Sequence, residues 1–213
     1  MVIHSGLALS EMSSLMNYMQ IAATENTIYT SPDASKIFCY TPSIIVTPTG
    51  RLIVSFDLGG EGVKSIEGHK SSRAGGSRFG QGKIFISDDN GQQKWTFVQN
   101  FPFWHARLFT IGNSIYLIGH AGDICIMKSE DNGESWSDTY FLTHGEKWHS
   151  SACNVLFSNG NVYLAMEQRC RLNEVTGWDV AGLSPTLFRA CVEDNLCLAS
   201  SWSRSEKFIY KEV

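Results

Sequence analysis

Short apolar runs separated by turn residues recur along this chain, and three segments share one layout. The segments TPTGRLIVSFD, TIGNSIYLIGH and FSNGNVYLAME each contain a turn, then an apolar run, then a polar residue. A further apolar run precedes each turn, namely Ser43–Val46, Arg107–Phe109 and Asn154–Phe157. Two short apolar runs joined by a tight turn are typical of a β-hairpin. The pattern therefore predicts three hairpins, whose polar ends are Asp57, His120 and Glu167.

A second repeated motif follows the first two hairpins. The stretches SDDNGQQKW, from Ser87, and SEDNGESWS, from Ser129, place Ser, Asp, Gly and Trp in the same order. The apolar runs before them are Lys83–Ile86 and Asp123–Lys128. Asp and Asn hydrogen-bond to nearby backbone N–H groups, Gly supplies the positive φ of a tight turn, and the Trp packs back over the hairpin. Each copy is therefore predicted to be a hairpin loop, in which Asp89 and Asp131 are structural.

The order Ser-x-Asp-x-Gly-x-x-Trp resembles the Asp box, or BNR repeat, of the sialidase superfamily of β-propellers. In that family the box joins the third and fourth strands of a blade, on the outer rim and away from the substrate. The resemblance implies an all-β, sialidase-like β-propeller with four-stranded blades of about 40–45 residues. About three to four blades are expected, and three are assigned to residues 41–98, 104–142 and 149–205. The last has a degenerate box with Asp194 and Trp202.

The first 40 residues lack the blade pattern and form a separate N-terminal segment. Apolar residues at Leu7, Leu15, Met16 and Met19 favour a short helix there, and the segment IYTSPDASKIFCY is suited to an accessory strand. Sialidase-like propellers have six or seven blades, so the resemblance implies an incomplete ring in residues 41–213. The alternatives are a truncated chain, a degenerate gene product, or a ring that another chain completes. Unpaired blade edges favour self-association, so the expected partners are a second copy or a missing C-terminal half.

Composition and charge argue against several classes of protein. Apolar residues make up 43% of the chain and charged residues 18%, with a net charge of −4, as in ordinary globular proteins. No Lys/Arg run favours nucleic acid or an acidic membrane, and no apolar run reaches the ~18 residues of a membrane span. The N-terminal sequence MVIHSGLALSEMSS lacks the features of a signal peptide. We therefore expect a cytoplasmic protein, or one whose signal has been removed.

The cysteines indicate structural thiols. The chain has six cysteines and no Cys-x-x-Cys pair, which argues against a zinc or redox site. Several of the six lie in apolar runs, where cysteine serves as a small hydrophobic residue. We expect the thiols to be reduced, and we predict neither a bound metal nor a cofactor.

The hairpin repeat also groups the residues that would face a ligand. In a propeller the innermost strand of each blade begins, and the second strand ends, on one face of the ring, so these strand ends surround a pit. The first set comprises Tyr40, Thr41, Trp104, His105, Trp148 and His149, and the second comprises Asp57, His120, Glu167, Gln168 and Arg169. From these sets we predict the catalytic residues His149, His120, Glu167 and Arg169. We predict the substrate-binding residues Tyr40, Asp57, Trp104, His105 and Trp148.

This mixture of side chains is typical of a carbohydrate site, because indole and phenol faces stack on sugar rings while charged groups bind or cleave. Histidine suits proton transfer, because its pKa lies near neutrality. Structural alternatives stay open: the two Trp rings could pack between blades, the two carboxylates could cap strands, and Arg169 could pair with Glu167. The segment EGHKSSRAGGSRFGQG predicts a long loop, in which Arg73 or Arg78 could reach a substrate carboxylate.

Details of the motifs separate this chain from true sialidases. Those enzymes bind the sialic acid carboxylate through three arginines, and the first stands before an innermost strand where this chain has Tyr40-Thr41-Pro42. The segments FWHARLFTIGNSIYLIGH, WHSSACNVLFSNGNVYLAMEQR and SWSRS are more similar to uncharacterised sialidase-like glycoside hydrolases, and more distantly to polysaccharide lyases and rhamnosidases. The resemblance implies hydrolysis or β-elimination of an acidic glycan, with a glycosidase favoured over a lyase. The alternative is a non-catalytic glycan-binding or assembly module.

Overall fold

The computed structural model describes residues 26–72, 79–149, 155–170 and 182–207. These residues form an all-β fold, and its helical elements include the short 3₁₀ turns Glu61–Ser65 and Ala199–Ser201. The helix predicted in the first 25 residues, and the loop arginines 73 and 78, lie outside the described residues. Within the described ranges, no helix has the length and apolar character needed to span a membrane.

The strands form three antiparallel sheets that follow one another along the chain. The first sheet contains β1 (Phe38–Val46), β2 (Leu52–Gly59), β4 (Phe79–Ser87) and β5 (Thr96–Phe101) in that order, and the short β3 (Ser71–Ser72) pairs with β4. The second contains β6 (Trp104–Ile111), β7 (Ser114–Ala121), β8 (Asp123–Ser129) and β9 (Tyr140–Phe141).

In the third sheet, β10 (Trp148–His149) and β11 (Leu156–Ser158) both pair with β12 (Asn161–Arg169), which is followed by β13 (Leu183–Cys191) and β14 (Trp202–Arg204). The three hairpins predicted from the sequence are formed by β1–β2, β6–β7 and β11–β12. The predicted all-β class with four-stranded sheets is therefore confirmed.

Two apolar clusters hold the sheets face to face, and a third covers an outer face. The first lies between the first and second sheets and includes Ile53, Ile84, Leu117 and Met127. The second lies between the second and third sheets and includes Tyr116, Ile126, Leu164 and Phe188. The third covers the outer face of the first sheet, where Ile28 and Tyr29 pack on Phe56 and Phe85. Each sheet is thus a layer stacked on its neighbour, as blades are in a propeller.

The two Ser-Asp-Gly stretches fold into the same turn between the third and fourth strands of their sheets. The Ser87 hydroxyl donates to Asp89 Oδ1 at 2.6 Å and accepts the Gly91 N–H at 3.0 Å. The Ser129 hydroxyl makes the same two bonds, to Asp131 Oδ1 at 2.8 Å and from the Gly133 N–H at 2.9 Å. The glycines have φ values of 71° and 86°, the left-handed conformation that glycine favours. Local hydrogen bonding therefore accounts for both aspartates.

The flanking side chains of these turns also have structural roles. Trp95 packs against the outer cluster of the first sheet, and Trp136 packs against the cluster between the first two sheets. Arg51 pairs with Asp88 of the first turn and Glu134 of the second, both at 2.6 Å, and so links the two loops. The five cysteines in the described part of the chain carry free thiols.

Candidate functional site

Three histidines from two sheets meet at one end of the strands. His105 lies near the start of β6, His120 near the end of β7, and His149 at the end of β10. The ring centroids are 5.2 Å apart for His105 and His120, 4.8 Å for His105 and His149, and 5.8 Å for His120 and His149. His120 Nε2 lies 3.3 Å from His105 Nδ1, within hydrogen-bond distance. We refer to these three residues as the histidine cluster.

Glu167 joins the cluster through His149. The two residues are directly opposite each other in the pairing of β10 with β12, and His149 Nδ1 lies 2.8 Å from Glu167 Oε2. The side chains are 21% and 26% exposed, so solvent reaches both. When the neutral ring carries its proton on Nδ1, this N–H donates a hydrogen bond to the carboxylate. The lone pair on Nε2 can then accept a proton. The pair is therefore suited to general acid–base chemistry.

Asp57 lies at the same end of the strands but is enclosed by protein. It is fully buried, and its Oδ1 accepts a hydrogen bond of 2.7 Å from the Thr41 hydroxyl. Burial raises the pKa of Asp57 to about 6, although the Thr41 hydroxyl, the backbone N–H groups of His105 and Ala106, and the Arg107 guanidinium all act to lower it. We predicted from the sequence that Asp57 binds substrate, and the structure places its carboxyl out of contact with solvent.

The three predicted aromatic residues differ in how much ring they expose. Tyr40 is 43% exposed and offers a ring face to solvent. Trp104 is half-buried and lies flat against the first sheet, since a Cβ added at Gly80 would be 2.2 Å from its indole. Trp148 is 2% exposed, packs edge-on against Phe188 at 5.2 Å, and belongs to the cluster between the second and third sheets. The two Trp rings thus occupy the inter-sheet positions that the sequence left open as their alternative.

The alternation of side chains along each second strand explains why equivalent residues differ in burial. Successive side chains of a strand point to opposite faces. On that rule Asp57 shares its face with Ile53, which packs toward the second sheet, and His120 shares its face with Tyr116, which packs toward the third. Glu167 lies on the opposite face from Leu164 and points away from the second sheet. None of the described sheets covers that face, so Glu167 stays partly exposed where Asp57 is buried.

Arg107 and Gln168 lie near the cluster and are not among the residues predicted to be catalytic or substrate-binding. Arg107 is 8% exposed, donates to the Ala106 carbonyl at 2.9 Å and acts electrostatically on Asp57. The sequence signal for it was a single charge within the apolar run ARLFTI. Gln168 is 6% exposed and pairs across the strands with Trp148, and its Oε1 accepts no hydrogen bond.

Arg169, predicted to be catalytic, follows at the end of β12, where its backbone N–H donates to the Lys147 carbonyl at 2.8 Å. This bond places the Arg169 backbone beside Lys147, two residues before His149. Across the ranges that the structure describes, no three His, Cys, Asp or Glu side chains are arranged to hold a metal ion.

The stacked four-stranded sheets, with polar side chains at the ends of the inner strands, define a β-propeller architecture. Solved structures share this fold. An α-L-arabinofuranosidase from Lactobacillus brevis is 15% identical with a TM-score of 0.53, and the match covers 82% of this chain and 57% of that one. A Penicillium chrysogenum α-L-arabinanase complexed with arabinobiose is 14% identical with a TM-score of 0.50, covering 81% and 50%.

A polysaccharide lyase of the PL25 ulvan lyase type is 15% identical with a TM-score of 0.51, and the match covers 76% of this chain and 39% of that one. At these identities the likeness concerns the fold alone. The chain spans between 39% and 57% of the length of these three proteins. No protein-family model and no curated protein sequence matches the chain.

Proposed function

We propose that this chain is part of a carbohydrate-active, sialidase-like protein in which His149 transfers protons to and from a glycan. The observation that carries the proposal is the 2.8 Å contact between His149 Nδ1 and Glu167 Oε2, beside two further imidazoles. A carboxylate that orients a histidine and stabilises its protonated form is the usual support of a general acid or base. The exposed Tyr40 ring supplies a surface on which a sugar can stack.

The class of substrate is supported by the proteins that share the fold. Those three proteins are named for action on arabinose-containing glycans or on ulvan, so a glycan ligand is consistent with the architecture. The acidic character of the glycan is supported by the cationic groups of the site. Arg169 follows Glu167 and Gln168 on β12, and the imidazoles become cationic when protonated. A uronate carboxylate is the group that such side chains bind.

The accessible carboxylates bear on the choice between hydrolysis and β-elimination. Glycoside hydrolysis ordinarily uses two carboxyl groups, one on each side of the scissile bond. The first and second strands of the three sheets, β1, β2, β6, β7, β10, β11 and β12, carry two carboxyl groups, Asp57 and Glu167. Asp57 is fully buried, so of these two carboxyl groups Glu167 is the one that a ligand can reach.

β-Elimination has different requirements, because it needs a base for the α-proton of a uronate and cations to neutralise its carboxylate. His149 and Arg169 provide those two functions. The resemblance in sequence favours a hydrolase, whereas the geometry of these strands favours a lyase acting on a uronate-containing glycan. A hydrolase would need a second carboxylate from another part of the protein or from a partner chain.

The product of the reaction separates these possibilities. The purified protein is incubated with uronate-containing polysaccharides and with neutral arabinan, and both ultraviolet absorbance and new reducing ends are measured. We expect both signals to rise on a uronate polymer, since elimination leaves an unsaturated uronate. Reducing ends without absorbance would show hydrolysis instead. Binding without either product would show the non-catalytic glycan-binding module.

A further inference from the structure

The carboxyl group of Asp57 connects two sheets at the end where the histidines meet. Asp57 lies on β2 of the first sheet, opposite Tyr40 on β1. Its side chain is fully buried and faces the second sheet, and the backbone N–H groups that act on it belong to His105 and Ala106 of β6. No hydrogen bond of good geometry reaches its Oδ2 from the described side chains and backbone. The carboxylate therefore lies beside the backbone of His105.

The backbone at His105 adopts a conformation that needs support. The strand pairing of β6 with β7 shifts between Trp104 and Arg107, and His105 has a φ of 51°. The pairing of β1 with β2 shifts in the same way between Tyr40 and Ser43, where Thr41 has a φ of 44°. Left-handed φ values are disfavoured for residues other than glycine. They persist where surrounding contacts hold them.

The Asp57 carboxylate supplies those contacts at both irregular points. A β-bulge leaves backbone groups without a partner in the strand ladder. In this protein the Thr41 hydroxyl donates to Asp57 at 2.7 Å, and the backbone N–H groups of His105 and Ala106 lie close enough to the same carboxyl group to act to lower its pKa. One buried carboxylate thus holds the bulge of β1 and the bulge of β6 together. Ring orientation follows from backbone conformation, so the direction of the His105 imidazole depends on this group.

We infer that Asp57 is a positioning residue that holds His105 in the histidine cluster, beside His120 and His149. Without the carboxylate, the N–H groups of β6 lose their acceptor and the bulge relaxes toward an ordinary strand conformation. The His105 ring then turns away from His149, from which its centroid is now 4.8 Å distant. The catalytic consequence rests on the proposed function, whereas the structural consequence does not.

Nuclear magnetic resonance on the intact chain tests this placement without any substrate. In the wild-type protein, ring protons of His105 and His149 should show a nuclear Overhauser contact. The amide protons of His105 and Ala106 should move in one titration step near pH 6, because burial raises the pKa of Asp57 to about 6. In Asp57→Asn the contact between the two rings should be lost, because a neutral amide is a weaker hydrogen-bond acceptor than a carboxylate. Thr41→Val, which keeps the carboxylate, should weaken the contact without removing it.

The matched control is Ser55→Ala. Ser55 lies on the same strand, is equally buried, and its hydroxyl makes no hydrogen bond, so its removal should leave the ring contact and the amide titration unchanged. An unchanged ring contact in folded Asp57→Asn would overturn the inference. If that variant does not fold, the wild-type protein provides the test. Amide chemical shifts of His105 and Ala106 that do not change near pH 6 would overturn the inference. With an active substrate, Asp57→Asn should lower kcat about tenfold with KM little changed, the signature of lost positioning.

Discussion

His149 Nδ1 lies 2.8 Å from Glu167 Oε2, and the two side chains face each other across the pairing of β10 with β12. The third sheet thus places this imidazole and this carboxylate on adjacent strands. The second sheet adds His105 and His120 to this pair, and their imidazoles lie 4.8 Å and 5.8 Å from the His149 ring.

Replacing His149 by alanine should abolish turnover or lower kcat by ~10²–10⁴, the range for a lost general acid or base. The fold should persist, because the His149 side chain is partly exposed and lies at the end of a two-residue strand. Initial rates on the glycan that the wild-type protein cleaves measure the loss. His144→Ala is the matched control, since His144 is exposed and lies outside the histidine cluster. Unchanged turnover in folded His149→Ala would rule out the catalytic role.

Glu167→Gln should reduce turnover less than His149→Ala does. The amide can still meet the His149 ring, but it cannot stabilise a protonated imidazole as a carboxylate does. We therefore expect a loss of about tenfold in kcat. Initial rates of both proteins on the glycan that the wild-type protein cleaves measure the loss. Unchanged turnover in folded Glu167→Gln would show that Glu167 does not act through His149.

The buried Asp57 carboxyl predicts an unusual dependence of stability on pH. Its pKa is raised from 3.8 to about 6 in the folded protein, chiefly by burial. The folded state therefore binds this proton more tightly than the unfolded state does. The free energy of unfolding should fall as pH rises from about 4 to about 6, by roughly 3 kcal/mol at 1.36 kcal/mol per pKa unit, and then stay level. Urea denaturation at several pH values measures the fall.

The Asp57→Asn variant lacks the titrating group, so the fall in stability between those pH values should disappear in it. Ser55→Ala should keep the fall, because that variant retains the carboxyl group on the same strand. A pH dependence that is the same in Asp57→Asn and in the wild-type protein would show that another group is responsible.

Trp136 and Asp131 are predicted to stabilise the fold without acting on a ligand. Trp136 packs against the cluster between the first two sheets, and Asp131 accepts hydrogen bonds within its own turn. Trp136→Ala should lower the free energy of unfolding by about 3 kcal/mol, the lower end for a large aromatic, because the ring is only partly buried. Glycan affinity of the folded fraction should be unaffected. Lost affinity at an unchanged melting temperature would contradict the prediction.

The exposed apolar side chains of the inner strands predict association. Ile44 and Val46 on β1 are each 61% exposed, and Leu156 on β11 is 63% exposed. Apolar surface of this kind favours a partner, and pairing of two copies is the simplest arrangement. Light scattering should report a mass above the 23.7 kDa of one chain. Ile44→Lys should lower that mass toward the monomer value. A stable 23.7 kDa wild-type monomer would contradict the prediction.

Much of the local structure was predictable, because it depends on residues close together in the chain. The turn at Ser129 needs Ser, Asp and Gly within five positions, and the two hydrogen bonds of the Ser129 hydroxyl connect those three residues. The three hairpins follow from apolar runs on each side of a turn. The repeat also indicated which strand ends share one face of the sheets, and this brought His105, His120 and His149 into one group before the structure was known.

Side-chain accessibility was decided by tertiary structure. The sequence grouped Trp148 with the ligand-facing residues, but the indole fills the space between two sheets and donates from Nε1 to Glu146 at 2.9 Å. The same applies to the bulges at Thr41 and His105, which the apolar pattern does not reveal because a register shift is defined only by the pairing of two strands. Such features depend on contacts between segments far apart in the chain.

Asp57 and Glu167 show that the sequence does not predict which of two equivalent carboxylates is buried. The hairpin repeat places both at the polar end of a second strand, and from the sequence they are equivalent. The second sheet covers the face of the first sheet that carries Asp57, so this carboxyl is fully buried and accepts a hydrogen bond from the Thr41 hydroxyl. The face that carries Glu167 has no described sheet over it, so this carboxyl is 26% exposed and paired with His149. The sequence by itself determined the strand, the turn and the alternation. Only the stacking of the sheets decided which carboxylate is structural and which can meet a ligand, because burial depends on what packs against a face.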